Sequence, residues 1–360
     1  MNYQPSKILI IRLGSVGDVV RTLPALRALR EKFPSAYIAW LVEEKAKGIL
    51  EGNSDLDRII LFPRKKIVTG FLNPFTSLPT LIEPLRFIRE LRRMGFDLVL
   101  DFHGILKSGL ISFFSGAAHR VGFSRGFCKE LNYIFNNYHV NPKDKRLNRI
   151  EKNLSLLSAL GIEPVELDPI IPLRQDDKKE IDNFFQQNML ENYHPLIVIH
   201  PETSATTPYK RWDEERYATL ADTLIEDYHA RVILTWGPGE LSTVEEIAHR
   251  MKHPPLIACQ TENLQKLTEI FRRCDLYIGS DTGPMHIAAS VRTPVVALFG
   301  PTDHRVNAPS LRNRNIIVRK DLACSPCREF RCASRECMEA VTPEEVLAAA
   351  IELLNLQPVH

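Results

Sequence analysis

Three stretches of this 360-residue chain combine reactive side chains with the backbone geometry needed to aim them. Asp18 closes the run Arg12-Leu13-Gly14-Ser15-Val16-Gly17-Asp18, where two glycines three apart let the chain turn tightly and open a helix. A carboxylate at that point either takes a proton from a bound hydroxyl or satisfies orphan amides of its own first turn. The run Asp281-Thr282-Gly283-Pro284-Met285-His286 sets polar residues at cap positions and a proline in the first turn, which makes a helix start suited to a diphosphate. Asp281 cannot meet a phosphate without a counter-charge, so it fixes the loop or holds a sugar hydroxyl; His286 faces either a ligand or the core. The segment His200 to Trp212 supplies hydroxyls, among them Thr206, and the adjacent cations Lys210 and Arg211. A lysine there can neutralise charge on a departing phosphate.

Two glycine-rich runs fail as dinucleotide fingerprints. Arg12 stands where the first glycine of Gly-x-Gly-x-x-Gly would fall, and Trp236-Gly237-Pro238-Gly239-Glu240 has Ser242 in the third glycine position. Glu240 either accepts hydrogen bonds from a ribose or base, or is a first-turn carboxylate. Cys324, Cys327, Cys332 and Cys337 have spacing that suits a structural zinc, with an iron–sulfur cluster, a redox pair or plain thiols as alternatives. Asp55-Leu56-Asp57 reads as solvated turn chemistry, and with no other Asp-x-Asp in the chain catalysis is expected to need no metal.

These loops need strands and helices to hold them. Buried strands are expected at Lys7 to Arg12, Tyr37 to Val42, Arg58 to Phe62, Asp97 to Phe102 and His119 to Phe123, with helices at Val19 to Phe33 and at about 79–94, 104–115 and 147–160. A proline-containing linker, Gly161 to Leu173, precedes a second cycle. Its strands begin at Leu196, Arg231, Leu256, Leu276 and Pro294, with helices between them and a last helix over Pro343 to Leu354. Alternation of this kind requires crossovers and parallel sheets covered on both faces, with ligands beyond the carboxyl ends of the strands. The expected architecture is α/β: two Rossmann-like, doubly wound domains facing across a cleft, over residues 1–170 and 171–342, with residues 343–360 as a helix packing back on the first domain.

With 44% hydrophobic and 25% charged residues, composition excludes a disordered or fibrous chain. The net charge of +2 conceals an asymmetry: residues 1–170 carry 25 basic and 17 acidic side chains, net +8, and the remainder nets −6. The basic half points to an anionic partner. A nucleic acid is not expected, because the cations are clustered rather than striped with aromatics. Met1 to Ser6 is polar and no run of about 20 apolar residues exists to span a bilayer, so a cytoplasmic protein with reduced cysteines is expected.

Taken together, Arg12 to Leu26, His200-Pro201 with Lys210-Arg211-Trp212, and Asp281 to His286 followed by Pro294 to Thr302 resemble glycosyltransferase family 9, the lipopolysaccharide heptosyltransferases. Asp101-Phe-His-Gly104-Ile-Leu-Lys107-Ser108 and Arg120-Val-Gly-Phe123 look most like the heptosyltransferase I branch, with His103 where that branch often carries glutamine. The resemblance implies the GT-B architecture. It also implies a heptose moved from ADP-heptose to Kdo of Kdo-lipid A with inversion, with heptosyltransferase II-type transfer or a nucleotide-sugar epimerase of the same fold as rivals. It makes Asp18 the base and Lys210 the residue that stabilises the diphosphate, with Thr206, Glu240, Asp281, Thr282, Gly283 and His286 on the donor. Gly17, Arg64, Lys65, Lys66, Lys107 and Arg120 are the expected acceptor-side residues. No catalytic cofactor is implied. The enzyme would work peripherally on the cytoplasmic face of the inner membrane.

Overall fold

The computed structural model describes residues 3–64, 77–261, 263–310, 312–327, 332 and 334–357. The chain divides into two units, Met1–Pro172 and Leu173–His360, a boundary two residues beyond the expected one. Each unit holds a six-stranded parallel sheet. The first contains β1 (Lys7–Ile11), β2 (Tyr37–Val42), β3 (Arg58–Leu61), β4 (Leu98–Asp101), β5 (His119–Phe123) and β6 (Tyr138–Val140), in the order β3-β2-β1-β4-β5-β6. The second contains β7 (Leu196–His200), β8 (Arg231–Leu234), β9 (Leu256–Ile257), β10 (Leu276–Ser280), β11 (Val295–Phe299) and β12 (Asn315–Arg319), in the order β12-β11-β10-β7-β8-β9.

The order dictates where chemistry can sit. From β1 the chain winds outward through β2 and β3, then returns to the other side of β1 for β4; β7, β8 and β10 repeat the pattern. Crossovers therefore leave in opposite directions on either side of β1–β4 and of β7–β10. That opens a crevice beyond the carboxyl ends of those two pairs. The loops that fill the crevices begin at Arg12 and Phe102 in the first unit, and at Pro201 and Asp281 in the second.

The central strands are almost wholly apolar because helices cover both faces: Ile8 to Ile11 and Leu196 to Ile199 are all buried. The helix expected over Val19 to Phe33 is two helices, Val16–Val20 and Leu23–Lys32. Pro24 has no N–H to return to Val20, so the chain restarts with proline in a first turn. Asn153 fastens the break, donating to the Arg21 carbonyl at 3.0 Å and to the Thr22 hydroxyl at 2.9 Å. The expectation of a solvated Asp55–Asp57 turn holds for Asp57, which is exposed while binding Arg30 and the Ile38 amide, each at 2.7 Å, and is corrected for Asp55, which is buried and paired with Arg27 at 3.0 Å. Both aspartates fasten the helix Leu23–Lys32 to the sheet.

The last helix, Pro343–Leu354, belongs to the second unit, where Val346, Ala349, Ala350 and Leu353 join the core formed with Ile197, Trp212 and Leu234. The Trp212 indole donates to the Val341 carbonyl at 3.0 Å, anchoring the segment before it. The helix's apolar face is thus used within its own unit.

Candidate active site

In the first unit, Ser15 caps the helix Val16–Val20, and Asp18 in its first turn accepts weakly from the Ser15 amide at 3.3 Å. The other partners of Asp18 are stronger. Arg12 reaches Oδ2 and Arg21 reaches Oδ1, each at 2.7 Å. Burial alone would raise the Asp18 pKa, but the charges of Arg12, Arg21 and Arg149 outweigh it and hold the group well below the usual carboxylate range. Arg12 is itself fixed, donating to the Phe102 carbonyl at 2.6 Å while its own carbonyl accepts from the Trp40 indole at 3.1 Å. Asp18 is therefore both a first-turn carboxylate and a clamped anion, with about a quarter of its side chain open to solvent.

The loop after β4 is shaped by Asp101, which is fully buried. It accepts from the His103 and Gly104 amides at 3.0 and 3.1 Å, the Ser108 hydroxyl at 2.9 Å and the Asn132 amide at 2.7 Å. Gly104 sits at φ +68, a backbone state that suits glycine. His103, beside this turn, is lowered to about 4 by burial and by the Arg12 and Lys107 charges, against the opposing pull of Asp18 and Glu43. Its imidazole is neutral at pH 7, and the buried Nδ1 finds no hydrogen-bond partner among the described residues.

Two of the expected acceptor-side cations come together, through a residue that sequence reasoning missed. Lys107 and Arg64 donate to the two oxygens of Glu43 at 3.0 and 2.9 Å. Arg120 does not join them. It is paired in register with Val99, toward the amino end of β4 and away from Asp101, and it donates to the Phe135 and Ala117 carbonyls at 3.0 and 2.7 Å. Lys65 and Lys66 lie outside the described residues. Gly17 is buried, and its carbonyl accepts from Arg21 Nε at 3.2 Å.

In the second unit, Lys210 and Asp281 form a clasp between the loops after β7 and β10. Lys210 Nζ lies 2.9 Å from Asp281 Oδ2 and 3.2 Å from the Asp281 carbonyl, and Thr302 donates to the same Oδ2 at 2.7 Å. Burial would raise the Asp281 pKa, but hydrogen bonding from His286 and the charge of Lys210 hold it well below the ordinary range. Asp281 thus fixes the loop, one of its two expected roles, and buried His286 stands 3.8 Å from its other oxygen. Thr282 caps the helix Gly283–Ser290, whose first amides open toward the carboxyl end of β10. Thr206 is further out on the loop, within 3.0 Å of the Ser204 hydroxyl.

Glu240 closes its own turn, accepting from the Gly237 amide at 2.6 Å; burial pushes its pKa up. It also lies 3.8 Å from His200 Nε2. His200 is buried, hydrogen-bonded to Thr235 at 3.1 Å and lowered to about 4 by burial, so it is neutral at pH 7. Glu202 was not singled out from the sequence. It is buried and joins the Arg211 guanidinium at 2.5 Å to the Thr243 hydroxyl, tying the first helix after β8 to the loop after β7.

All seven cysteines are free thiols. Burial and the neighbouring Cys327, Cys324 and Cys332 push the Cys337 thiol up. Among the described residues, no three His, Cys, Asp or Glu side chains converge as metal ligands would.

Two parallel-sheet units with ionised and cationic groups gathered at both switch points define an α/β glycosyltransferase of the GT-B class. A family model for glycosyltransferase family 9 (heptosyltransferase) matches residues 84–338, and the chain belongs to that family. It is 26% identical to lipopolysaccharide heptosyltransferase 3 of Escherichia coli K12, covering 94% of this chain and 95% of the relative. It is 25% identical to lipopolysaccharide heptosyltransferase 1 of Campylobacter coli, over 97% and 99% of the two chains. Among solved structures, a family 9 glycosyltransferase from Veillonella parvula superposes with a TM-score of 0.79 at 23% identity, covering 99% of both chains. The E. coli heptosyltransferase WaaC with ADP gives 0.73 at 22%, over 96% and 99%.

Proposed function

We propose that this enzyme transfers a heptose from ADP-heptose to Kdo in the inner core of a membrane-borne lipopolysaccharide acceptor, inverting the anomeric configuration. The observation that carries the reading is the pair of charged devices at the two switch points: Asp18 clamped by Arg12 and Arg21, and Lys210 clasped to Asp281 beside a helix start. The names of the relatives support both the sugar and the lipopolysaccharide acceptor.

In the reaction the acceptor oxygen bonds to the anomeric carbon as the bond from that carbon to the diphosphate oxygen breaks, and the electron pair leaves with ADP. The acceptor proton passes to Asp18. A carboxylate held this far below its ordinary pKa is a weak base toward a free hydroxyl. It suffices once the new C–O bond has made the proton strongly acidic, so transfer to Asp18 comes late. Lys210 and the amides at Thr282 and Gly283 meet the charge on the departing diphosphate, with Thr206 and His286 alongside and Glu240 toward the nucleoside. These groups supply the neutralisation a divalent ion would otherwise provide, so the reaction is metal-independent.

Lys107 and Arg64 face the anionic acceptor, and Lys65 and Lys66 follow Arg64 in the sequence. Relatives named lipopolysaccharide heptosyltransferase 1 and 3 stand at similar identity, so transfer to heptose is the second reading. The test is incubation of ADP-heptose with Kdo-lipid A, and separately with its heptosylated product. The wild type transfers to Kdo-lipid A, with the same rate in EDTA, and Asp18→Asn loses about 100-fold or more. Equal rates for the two proteins would remove Asp18 as the base, and transfer confined to the heptosylated acceptor would move the enzyme to the second reading.

A further inference from the structure

Of the eleven large apolar side chains that stand exposed among the described residues, eight lie between Leu61 and Tyr138, and five of these gather on two adjoining elements. Leu106 and Phe113, seven apart, share one face of the helix Leu106–Phe114. Gly109 lies on that face between them and admits the 3-10 turn Asn132–Phe135: a Cβ at Gly109 would meet Asn132 at 2.9 Å and Phe135 at 3.0 Å. On the turn, Leu131 and Ile134 are three apart and so share its outer side, each 59% exposed. The Phe113 ring lies 5.3 Å from Phe114 and 6.2 Å from Phe135. Glu130 and Leu131 adopt φ of +53 and +58, a left-handed backbone that a bulky residue resists, and this conformation holds Leu131 outward. The Glu130 carboxylate accepts from the Leu106 amide at 3.2 Å and so fixes the turn to the helix.

Cations flank the apolar tip. The Arg120 guanidinium lies 5.6 Å from the Phe113 ring centroid, Arg92 packs beside Gly116 just past Phe114, and Lys129 precedes the turn. Its partner should be apolar in depth and anionic at its rim. A symmetric second copy would set like cations against one another.

We infer that Phe113, Phe114, Leu131 and Ile134 form a tip that inserts into the interface of an anionic lipid bilayer, with Arg120, Arg92 and Lys129 on the headgroups. The assignment deepens the proposed function, and rests on it for the acceptor's place in a membrane. Aromatic and aliphatic side chains enter the headgroup boundary while arginine and lysine keep their charges in water. No catalytic group lies on the tip.

The experiment is flotation of the full chain with phosphatidylcholine vesicles and with vesicles that also contain phosphatidylglycerol. The wild type floats with the anionic vesicles, and Leu131→Gln with Ile134→Gln lowers the bound fraction at least fivefold while heptose transfer to a deacylated, soluble acceptor is unchanged. A Phe114→Trp variant guards against misfolding of the glutamine pair: its emission shifts to the blue on anionic vesicles and is quenched by brominated acyl chains. Unaltered flotation of the glutamine pair, or no quenching of Trp emission in Phe114→Trp, overturns the assignment, as does a wild type that ignores lipid and dimerises through these residues. Vesicle binding that follows the tip in a protein without heptose transfer would sink the proposed function and leave the tip standing.

Discussion

Asp18 carries more structure than the role of base proposed for it requires. Two guanidiniums at 2.7 Å fix both oxygens, so the group keeps one orientation and one charge across the working range. Its depressed pKa means that stability from these pairs is present above the ordinary carboxylate value and is lost only as pH falls toward the folded value, well below it. The same sign applies to activity: kcat/KM shows no acid limb from Asp18 between about pH 5 and 8. Arg21→Gln removes one of the three charges that lower the Asp18 pKa, raises it and moves an acid limb upward toward that window. Superimposable pH profiles for the two proteins would show that Arg21 does not set the ionisation of Asp18. Asp18 and Lys210 stood out in the sequence because glycines and cap residues mark the loops that hold them. Their counter-ions were less legible. Arg12 and Arg21 flank Asp18 along the chain, yet Glu43 lies 64 residues before Lys107, and nothing in Val42-Glu43-Glu44-Lys45 marks one glutamate as its partner.

At the level of elements, the buried strands were legible because a parallel strand covered on both faces must be a short apolar run; β2 and β7 lie where that pattern does. What escaped had little such signal. Edge strand β6 is Tyr138-His139-Val140 with two of three residues exposed, and the helix Gln175–Gln187 buries only Asp177, Ile181 and Phe185. Asn315–Arg319 carries an Ile-Ile-Val run but is absent from the expected strands. The last helix was read correctly in extent, and its apolar face, which periodicity specifies without saying what covers it, lies in the second core. Its burial makes a direct prediction. A chain ending at Ala340 loses Val341, Val346 and Leu353 from the second core, on the order of 5 kcal/mol, comparable to the stability of a whole domain. In limited proteolysis its second unit should be degraded while a fragment near residues 1–172 persists; a truncated chain as resistant as the full one would mean that the helix is dispensable to that core.

For the molecule as a whole, the two units divide the charge as they divide the fold, and the structure shows what becomes of the surplus. Several of the first unit's cations are tied internally, by Asp18, Asp55, Asp57 and Glu43, so pairing and exposure, rather than the net of +8 alone, decide which cations a ligand meets. Lys107 and Arg64 remain 38% and 63% exposed on the Glu43 carboxylate, where an incoming anion can compete for them. In the second unit Lys210 is largely enclosed by Asp281, and solvent ions reach it poorly. Exposed charges are screened within about 8 Å at physiological ionic strength, whereas enclosed pairs are screened much less. Raising salt should therefore raise the KM for the anionic acceptor several-fold while the KM for the nucleotide sugar changes little. Glu43→Gln frees both cations, so it should lower the acceptor KM at low salt and steepen its rise with salt. Steady-state kinetics with each substrate varied in turn, at low and at high sodium chloride, distinguishes the outcomes: equal salt dependence for both substrates, or a Glu43→Gln enzyme with a raised acceptor KM at low salt, would show that the exposed cations do not hold the acceptor.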